Sequence, residues 1–107
     1  MASIFDINNK ITHDLLIENG WDQRVSFGKN GEECYYLLKL KVLISFSSLI
    51  YRSQEIWFTY DPSNNLVRYI DDINMDPCSV DSMNDINIYI QFILNHYNFK
   101  KENEFVG

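Results

Sequence analysis

Long apolar runs are missing from this chain of 107 residues, and so is a basic start at its N-terminal end. The most apolar stretch, residues 42–51, is closed by Arg52 and falls short of the ~18 residues that a membrane-spanning helix needs. Residues 1–10 include an acidic Asp6 and lack the apolar core of a signal peptide. We therefore predict neither a membrane partner nor secretion, and we expect a cytoplasmic location.

Cysteine, histidine and glycine are too few or too scattered to build a recognised reactive site. Cys34 and Cys78, together with His13 and His96, show none of the short paired spacings that zinc sites use. No local feature marks either cysteine as reactive, so we interpret both as buried structural thiols. The four glycines do not form a phosphate-binding loop. We therefore predict no cofactor, and a protein that is not an enzyme.

One acidic segment shares part of a calcium-binding pattern. Residues 72–76, DINMD, have the spacing of acidic and amide ligands that opens a calcium loop. Pro77 stands where that loop needs a glycine, and Met83 stands where its bidentate glutamate belongs. We interpret the segment as a solvated acidic loop and predict no metal. The adjacent carboxylates of Glu32 and Glu33 would serve acid–base chemistry only inside a cleft, which the sequence does not indicate.

Positive charge is scarce in the second half of the chain. The formal net charge is −6. Residues 1–52 hold six basic and six acidic residues, whereas residues 53–107 hold three basic and nine acidic residues, so the whole excess lies in the second half. A surface of this sign repels phosphate backbones and attracts basic proteins. We therefore predict no direct contact with nucleic acid, and a basic protein as the partner.

What the chain does contain is one long amphipathic stretch, residues 82–99, which predicts a helix. Ser82 is suited to cap its start, and Asp85 lies in the first turn, where the helix dipole favours negative charge. Ile88 and Phe92, four residues apart, form a second apolar row beside the main one, and this row faces either a sheet or a partner chain. The main apolar row recurs with the period of a helix and comprises Ile86, Tyr89, Ile90, Ile93, Leu94 and Tyr97.

The rest of the chain predicts a short helix followed by strands. Thr12 is suited to cap a helix over residues 12–19, which Gly20 closes. Residues 1–10 are expected to form a short strand or an arm, and residues 71–81 an irregular acidic loop. Strands are predicted over residues 21–27, 33–41, 54–60 and 66–70, and residues 42–51 either continue the second strand or begin a new one after a bend near residues 47–48.

The short turns between these strands predict an antiparallel meander, covered on one face by the two helices. We therefore expect a single α+β domain over residues 1–107, with a sheet of four to five strands, a short N-terminal helix and a long C-terminal helix. Aromatic residues make up 15% of the chain, which is high for one small core. Trp21 and Trp57 either fill that core or anchor a protein interface.

The run ITHDLLIENGW, residues 11–21, has the pattern Thr-x-x-x-Leu-x-x-Asn-Gly followed by an aromatic residue. It resembles the opening of a family of small uncharacterised proteins of phages and prophages. Members of that family continue with several strands and end in an aromatic-rich amphipathic helix, as this chain does. The resemblance covers this one motif and the order of elements. It implies the setting of a mobile element inside a host cell, and nothing about mechanism.

Charge asymmetry and the missing catalytic motifs together favour a protein–protein interaction module. Our hypothesis is a non-enzymatic, phage-borne inhibitor whose acidic half binds a basic host protein, such as a nucleic-acid-binding defence enzyme, in the manner of an anti-CRISPR. The residues expected to bind the partner are five aspartates and the second apolar row of the long helix: Asp71, Asp72, Asp76, Asp81, Asp85, Ile88 and Phe92.

Three other functions stay open from the sequence. One is a homodimeric structural or regulatory protein, joined through Ile88 and Phe92 or through an exposed strand edge. Another is an immunity-type protein that binds a toxin. The third is an enzyme or small-ligand receptor, which would need a pocket between helix and sheet; a polar-lined cavity containing Cys34 or His96 would favour it.

Overall fold

The computed structural model describes residues 10–29, 31–47, 50–72 and 74–101. The strand or arm expected within residues 1–10 lies, apart from Lys10, outside the described residues. The described part is α+β, as predicted: a five-strand antiparallel meander in the order β1-β2-β3-β4-β5, with a short sixth strand beside β2, and two helices. The strands are β1 (Asp22–Gly28), β2 (Gly31–Ser47), β3 (Ile50–Asp61), β4 (Leu66–Tyr69), β5 (Cys78–Ser79) and β6 (Lys100–Lys101); the helices are α1 (His13–Glu18) and α2 (Met83–His96).

Both helices begin at the predicted caps. The Thr12 hydroxyl accepts a hydrogen bond from the Leu15 amide at 3.2 Å, and the Ser82 hydroxyl accepts one from the Asp85 amide at 3.1 Å. Each bond satisfies an amide that has no partner inside its helix. The predicted starts of both helices are therefore confirmed.

Helix α2 is 14 residues long and ends at His96, earlier than the predicted stretch to residue 99. Asn98 adopts a left-handed φ of 57°, which asparagine tolerates and which stops the helix. The Asn98 amide then donates to the Asn95 carbonyl at 3.2 Å, and the Phe99 amide donates to the Leu94 carbonyl at 2.8 Å. Helix α1 ends in the same way, with Gly20 at φ 91° in the left-handed position.

Strand β2 settles the stretch that the sequence left open. It runs without a break through residues 42–47, and the next strand begins at Ile50, so the stretch both continues one strand and begins another. The long strand has two neighbours on one edge, because β1 pairs with its first half and β6 pairs with Val42 and Leu43. Strand β5 falls within the predicted acidic loop, where Cys78 pairs with Val67 of β4.

The core joins one face of the sheet to both helices. Alternate residues of β2 and β3 point into it, as predicted for Tyr36, Leu38 and Val42 and for Ile56, Phe58 and Tyr60. Trp21 is 1% exposed and fills this core, whereas Trp57 is 38% exposed on the opposite face, with the Lys39 ammonium 4.8 Å from its ring centre. Strand β4 adds Val67 and Tyr69 to this core, and Val80 follows strand β5 into it. The helices supply a further set of its side chains: Leu16, Met83, Ile86, Tyr89, Ile90, Ile93 and Leu94.

Two sequence interpretations of single residues need correction or completion. Cys78 is exposed and Cys34 is half-buried, so the prediction that both thiols are buried is wrong. The reason is that Cys78 lies on the two-residue edge strand β5, which pairs only with β4 among the described strands. His13, expected to be solvated, is exposed but lies with its Nδ1 atom 2.8 Å from the Tyr36 hydroxyl.

None of the described helices is both long and apolar enough to span a membrane.

Candidate functional site

Helix α2 leaves its second apolar row uncovered. Ile88 is 58% exposed and Phe92 is 52% exposed, although the neighbouring row of the same helix is buried. The Phe92 ring stacks on His96, four residues further along, with ring centres 5.8 Å apart and planes at 22°. Ile88, Phe92 and His96 therefore form a continuous ridge on the outer side of the helix, at the i, i+4 spacing that brings helical side chains together.

The segment before the helix, residues 74–79, forms a second wall beside this ridge. Its first turn is held by the Asp72 carboxylate, which accepts from the Asn74 amide at 2.9 Å, and by the Met75 amide, which donates to the Asp72 carbonyl at 3.1 Å. The segment then becomes strand β5 and is fastened to β4 at its far end, where the Val80 amide donates to the Asn65 carbonyl at 2.9 Å. The far end of the wall is thus fixed to the body of the molecule.

A hydrogen bond also fastens this wall to the end of helix α2. The Tyr97 hydroxyl donates to the Asp72 carboxylate. This bond is the main reason that the pKa of Asp72 lies below its ordinary value, and the turn amide of Asn74 lowers that pKa further. The same bond to Asp72 raises the pKa of Tyr97 to about 12. The wall and the helix are therefore held together around neutral pH.

Between the two walls lies an open groove of about 600 Å³. Its lining combines apolar groups with acidic ones, since Ile88, Phe92, Met75 and Cys78 line it together with Asp76 and Asp85. Tyr89 forms part of the lining, and its hydroxyl accepts from the Tyr69 amide at 3.1 Å, which fixes the helix against strand β4. The groove is therefore a shaped surface with fixed walls, and its size is in the range of known binding clefts.

The acidic groups of the groove are not neutralised by nearby cations. Within the described ranges the one ion pair joins Arg24 to Asp22, so neither Asp76 nor Asp85 is paired with a described lysine or arginine. Asp76 is exposed, whereas Asp85 is half-buried and its carboxylate accepts from the Asp81 amide at 3.0 Å. Asp85 therefore holds the residue before the Ser82 cap, lies in the first turn, where the helix dipole favours its charge, and adds negative charge to the groove.

The structure brings together four of the seven residues that the sequence singled out for partner binding: Asp76, Asp85, Ile88 and Phe92. Asp72 supports the groove without lining it, because its carboxylate is taken by Tyr97 and by the turn amide. Asp71 and Asp81 are exposed and do not line the groove. The expected acidic surface is thus divided between groove, support and open solvent.

Sequence reasoning missed Met75, Cys78 and Tyr89 as lining residues. The sequence pattern assigns Met75 only to an incomplete calcium loop, and Cys78 only to a structural thiol. The available signal was that both are apolar residues inside an otherwise polar segment. This segment precedes a helix that has more apolar residues than one buried face requires. Among the described residues no group of three or more His, Cys, Asp or Glu side chains is placed to hold a metal ion.

A second depression, of about 480 Å³, lies between the β1–β2 hairpin and the β3–β4 turn. It contains Cys34 and the carboxylates of Glu32, Glu33 and Asp61, so these acids do lie in a cleft that the sequence did not indicate. The residues that line it include no histidine, lysine or arginine, and negative neighbours disfavour a reactive thiolate. The Cys34 sulfur instead accepts from the Gln23 side-chain amide at 3.0 Å.

Comparison with protein-family models, with curated proteins and with solved structures finds no match to this chain.

Proposed function

We propose that this protein is an interaction module that binds a basic, partly apolar segment of another protein in the groove between helix α2 and residues 74–79. The observation that carries the proposal is the uncovered row of Ile88 and Phe92, placed beside two carboxylates in one fixed groove. Apolar side chains of the partner would cover this row, and its lysine or arginine side chains would meet Asp76 and Asp85.

Apolar contact and charge have different effects in such an interface. Burial of the exposed parts of Ile88 and Phe92 supplies free energy of binding, since apolar surface leaves water. Large apolar side chains in a shaped depression are also the residues that most often dominate interface energetics. The carboxylates mainly speed the encounter with a basic partner and reject acidic ones, and salt weakens that contribution.

The biological role that we propose is inhibition of a basic host protein, of the nucleic-acid-binding, defence type, by a phage-borne protein. The excess of negative charge supports this role, because a protein that binds phosphate backbones presents a basic surface that an acidic protein can occupy. The resemblance of residues 11–21 to phage and prophage proteins supports the setting. The alternative role is that of an immunity-type protein that binds a toxin. The identity of the captured partner, a defence enzyme or a toxin, would distinguish the two roles.

The experiment is capture of partners from host lysate on the immobilised protein, at low and at high salt. Wild type is compared with Phe92→Ala, with Asp76→Asn, and with Asn87→Ala as a matched control. Asn87 is exposed on the same helix and does not line the groove. We expect a basic partner that is retained by wild type and Asn87→Ala, weakened by Asp76→Asn, lost with Phe92→Ala and released by salt.

Two outcomes would overturn the proposal. One is a partner that Phe92→Ala retains as well as wild type does, because the groove would then not be the binding site. The other is retention that does not change with salt or with Asp76→Asn, because the carboxylates would then contribute nothing.

A further inference from the structure

Strand β1 is an exposed sheet edge that carries little of the protection such edges usually have. It ends the strand order, and no other strand of the described ranges pairs with its outer side. All seven of its residues are exposed, including Val25 at 55% and Phe27 at 81%. The strand contains no proline and no lysine, the residues that commonly blunt an edge against pairing with another chain.

Charge makes this edge a favourable place for two copies to meet. Each chain carries a net charge of −6, and the whole excess lies in residues 53–107, so two copies repel one another through their second halves. Strand β1 holds one acidic and one basic residue, Asp22 and Arg24, so the strand itself brings no net charge to a contact at this edge. Their side chains are 4.0 Å apart at the closest charged atoms and largely exposed, which leaves the Arg24 guanidinium free to turn toward another partner.

The residues of β1 are also complementary to a second copy of themselves. If two β1 strands pair antiparallel around Ser26, Val25 of each copy lies opposite Phe27 of the other. An aromatic residue opposite a β-branched one is among the favourable cross-strand pairs of antiparallel sheets. Both residues lie on the helix-covered face, because Val25 pairs with Cys34 and Phe27 with Glu32 within each chain. The four exposed side chains would thereby cover one another.

On the opposite face the same register creates two ion pairs. Arg24 of each copy lies opposite Gly28 of the other, and Gly28 has no side chain of its own. The Glu33 carboxylate lies across that glycine, since a Cβ atom placed there would meet the Glu33 Oε1 atom at 3.0 Å. Neighbouring strands are about 5 Å apart, so Arg24 of one copy is within reach of Glu33 of the other, twice across the symmetry axis.

From this complementarity we infer that the protein forms a two-fold symmetric homodimer, in which the β1 strands pair antiparallel around Ser26 and join two sheets into one. Pairing at this edge satisfies backbone groups of β1 that otherwise face solvent. The interface is isologous, so it closes after two copies and does not propagate. It uses none of the residues that line the groove beside helix α2, so it stands independently of the proposed function.

A charge-reversal experiment tests the ion pairs. Arg24→Glu alone and Glu33→Arg alone should each weaken the dimer about tenfold, because each places like charges together at two symmetric positions. An equal mixture of the two variants should dimerise again. In the mixed dimer the introduced glutamate of one chain meets the introduced arginine of the other, and the remaining native Arg24 and Glu33 meet at the second position. The measurement is sedimentation equilibrium from micromolar to millimolar protein, with Ile88→Lys in the groove as a control that should dimerise like wild type.

A crosslinking experiment tests the register. In a chain with Cys34→Ser and Cys78→Ser, the substitution Ser26→Cys should give a covalent dimer rapidly under mild copper-catalysed air oxidation. Val25→Cys in the same background should crosslink much more slowly, because only residue 26 lies opposite itself. Circular dichroism of each variant checks the fold. We expect it to be unchanged, because residues 25, 26 and 78 are exposed and Cys34→Ser replaces a half-buried side chain with one of similar size.

Three results would overturn the inference. The first is a wild-type protein that stays monomeric at millimolar concentration. The second is a dimer that both charge reversals leave unchanged, or that their mixture fails to restore. The third is crosslinking through Val25→Cys in preference to Ser26→Cys, which would show a different register. If any variant fails to fold, Phe27→Lys, at the most exposed apolar position of β1, provides a further test and should shift the protein to monomer.

Discussion

Helix α2 carries two apolar rows that experience opposite environments. Ile86 and Ile93 are fully buried against the sheet, whereas Ile88 and Phe92, on the same fourteen residues, are more than half exposed. Residue type does not account for this difference, because isoleucine occurs in both rows. The sheet covers only one side of the helix, and residues 74–79 form a separate wall that leaves the second row open. The buried row therefore stabilises the fold, and the open row is available for binding.

The largest predicted effect tests the buried row. Ile93→Ala should lower the free energy of unfolding by about 2–5 kcal/mol, because it removes buried methyl groups and leaves a cavity in the core. Urea denaturation followed by tryptophan fluorescence in a Trp57→Phe background measures this change, since Trp21 lies in the same core. A loss below about 1 kcal/mol would mean that the helix is not packed as described.

The next largest effect tests the N-terminal cap of helix α2, the helix that carries both rows. Ser82→Ala should cost about 1 kcal/mol of stability, because the Asp85 amide loses its acceptor. Ser82→Asp is the matched control and should stay close to wild type, because aspartate caps helices as well as serine does. Thermal unfolding of the three proteins compares them. Equal losses for both substitutions would show that the side chain acts through something other than capping.

A third effect depends on pH and tests the hydrogen bond between Tyr97 and Asp72, which fastens the wall beside the open row. The pKa of Asp72 is lowered in the folded protein, so its stabilising contribution is present above the ordinary carboxyl pKa and is lost as the pH falls through the lowered one. The pKa of Tyr97 is raised from 10.0 to about 12, so its contribution is present below 10.0 and is lost as the pH rises through about 12.

Tyr97→Phe should therefore return the pKa of Asp72 toward its ordinary value and weaken the dependence of stability on pH at both extremes. NMR titration of the Asp72 carboxyl carbon and thermal unfolding against pH provide the two measurements. Tyr35→Phe, which removes a hydroxyl from the other face of the sheet, should change neither. An unchanged Asp72 titration in Tyr97→Phe would contradict the role given to this bond.

The smallest effect on stability belongs to the open row. Phe92→Ala should change the free energy of unfolding by at most about 0.5 kcal/mol, because the half-exposed ring makes few contacts with the core. Placed beside Ile93→Ala, its immediate neighbour, it gives the sharpest comparison of the two rows by the same urea measurement. Equal destabilisation by both substitutions would mean that Phe92 is part of the core and not of a binding surface.

Much of the fold could be predicted from local patterns. The caps at Thr12 and Ser82, the turn at Gly28 and Gly31 and the alternation in β3 are all short-range signals, and the structure confirms them. Strands β5 and β6 were not predicted. A two-residue strand is too short to show an alternating pattern, and it is defined only by its pairing with a neighbouring strand of the same sheet. The end of α2 was placed too late, since the apolar pattern continues to Phe99 while the Asn98 backbone has already left the helix.

The candidate site could be predicted only in part. Ile88, Phe92, Asp76 and Asp85 were singled out by excess apolarity and by charge, and all four line the groove. The sequence could not show that the Asp72 carboxylate is engaged by Tyr97, because this bond joins residues 25 positions apart in sequence. Val25 and Phe27 were placed correctly on one face of a strand, but only the structure shows that this strand lies at an edge and that the two side chains are exposed.

The sequence by itself determined where both described helices begin, which longer segments form strands, which side of each is apolar and where negative charge accumulates. These properties depend on neighbours within a few residues, such as a cap, a turn or an alternating pattern. The tertiary structure alone decided which apolar rows are covered, because coverage depends on segments far apart along the chain. It places residues 74–79 opposite helix α2 and leaves β1 at the end of the sheet, and in doing so it creates both surfaces to which we assign binding.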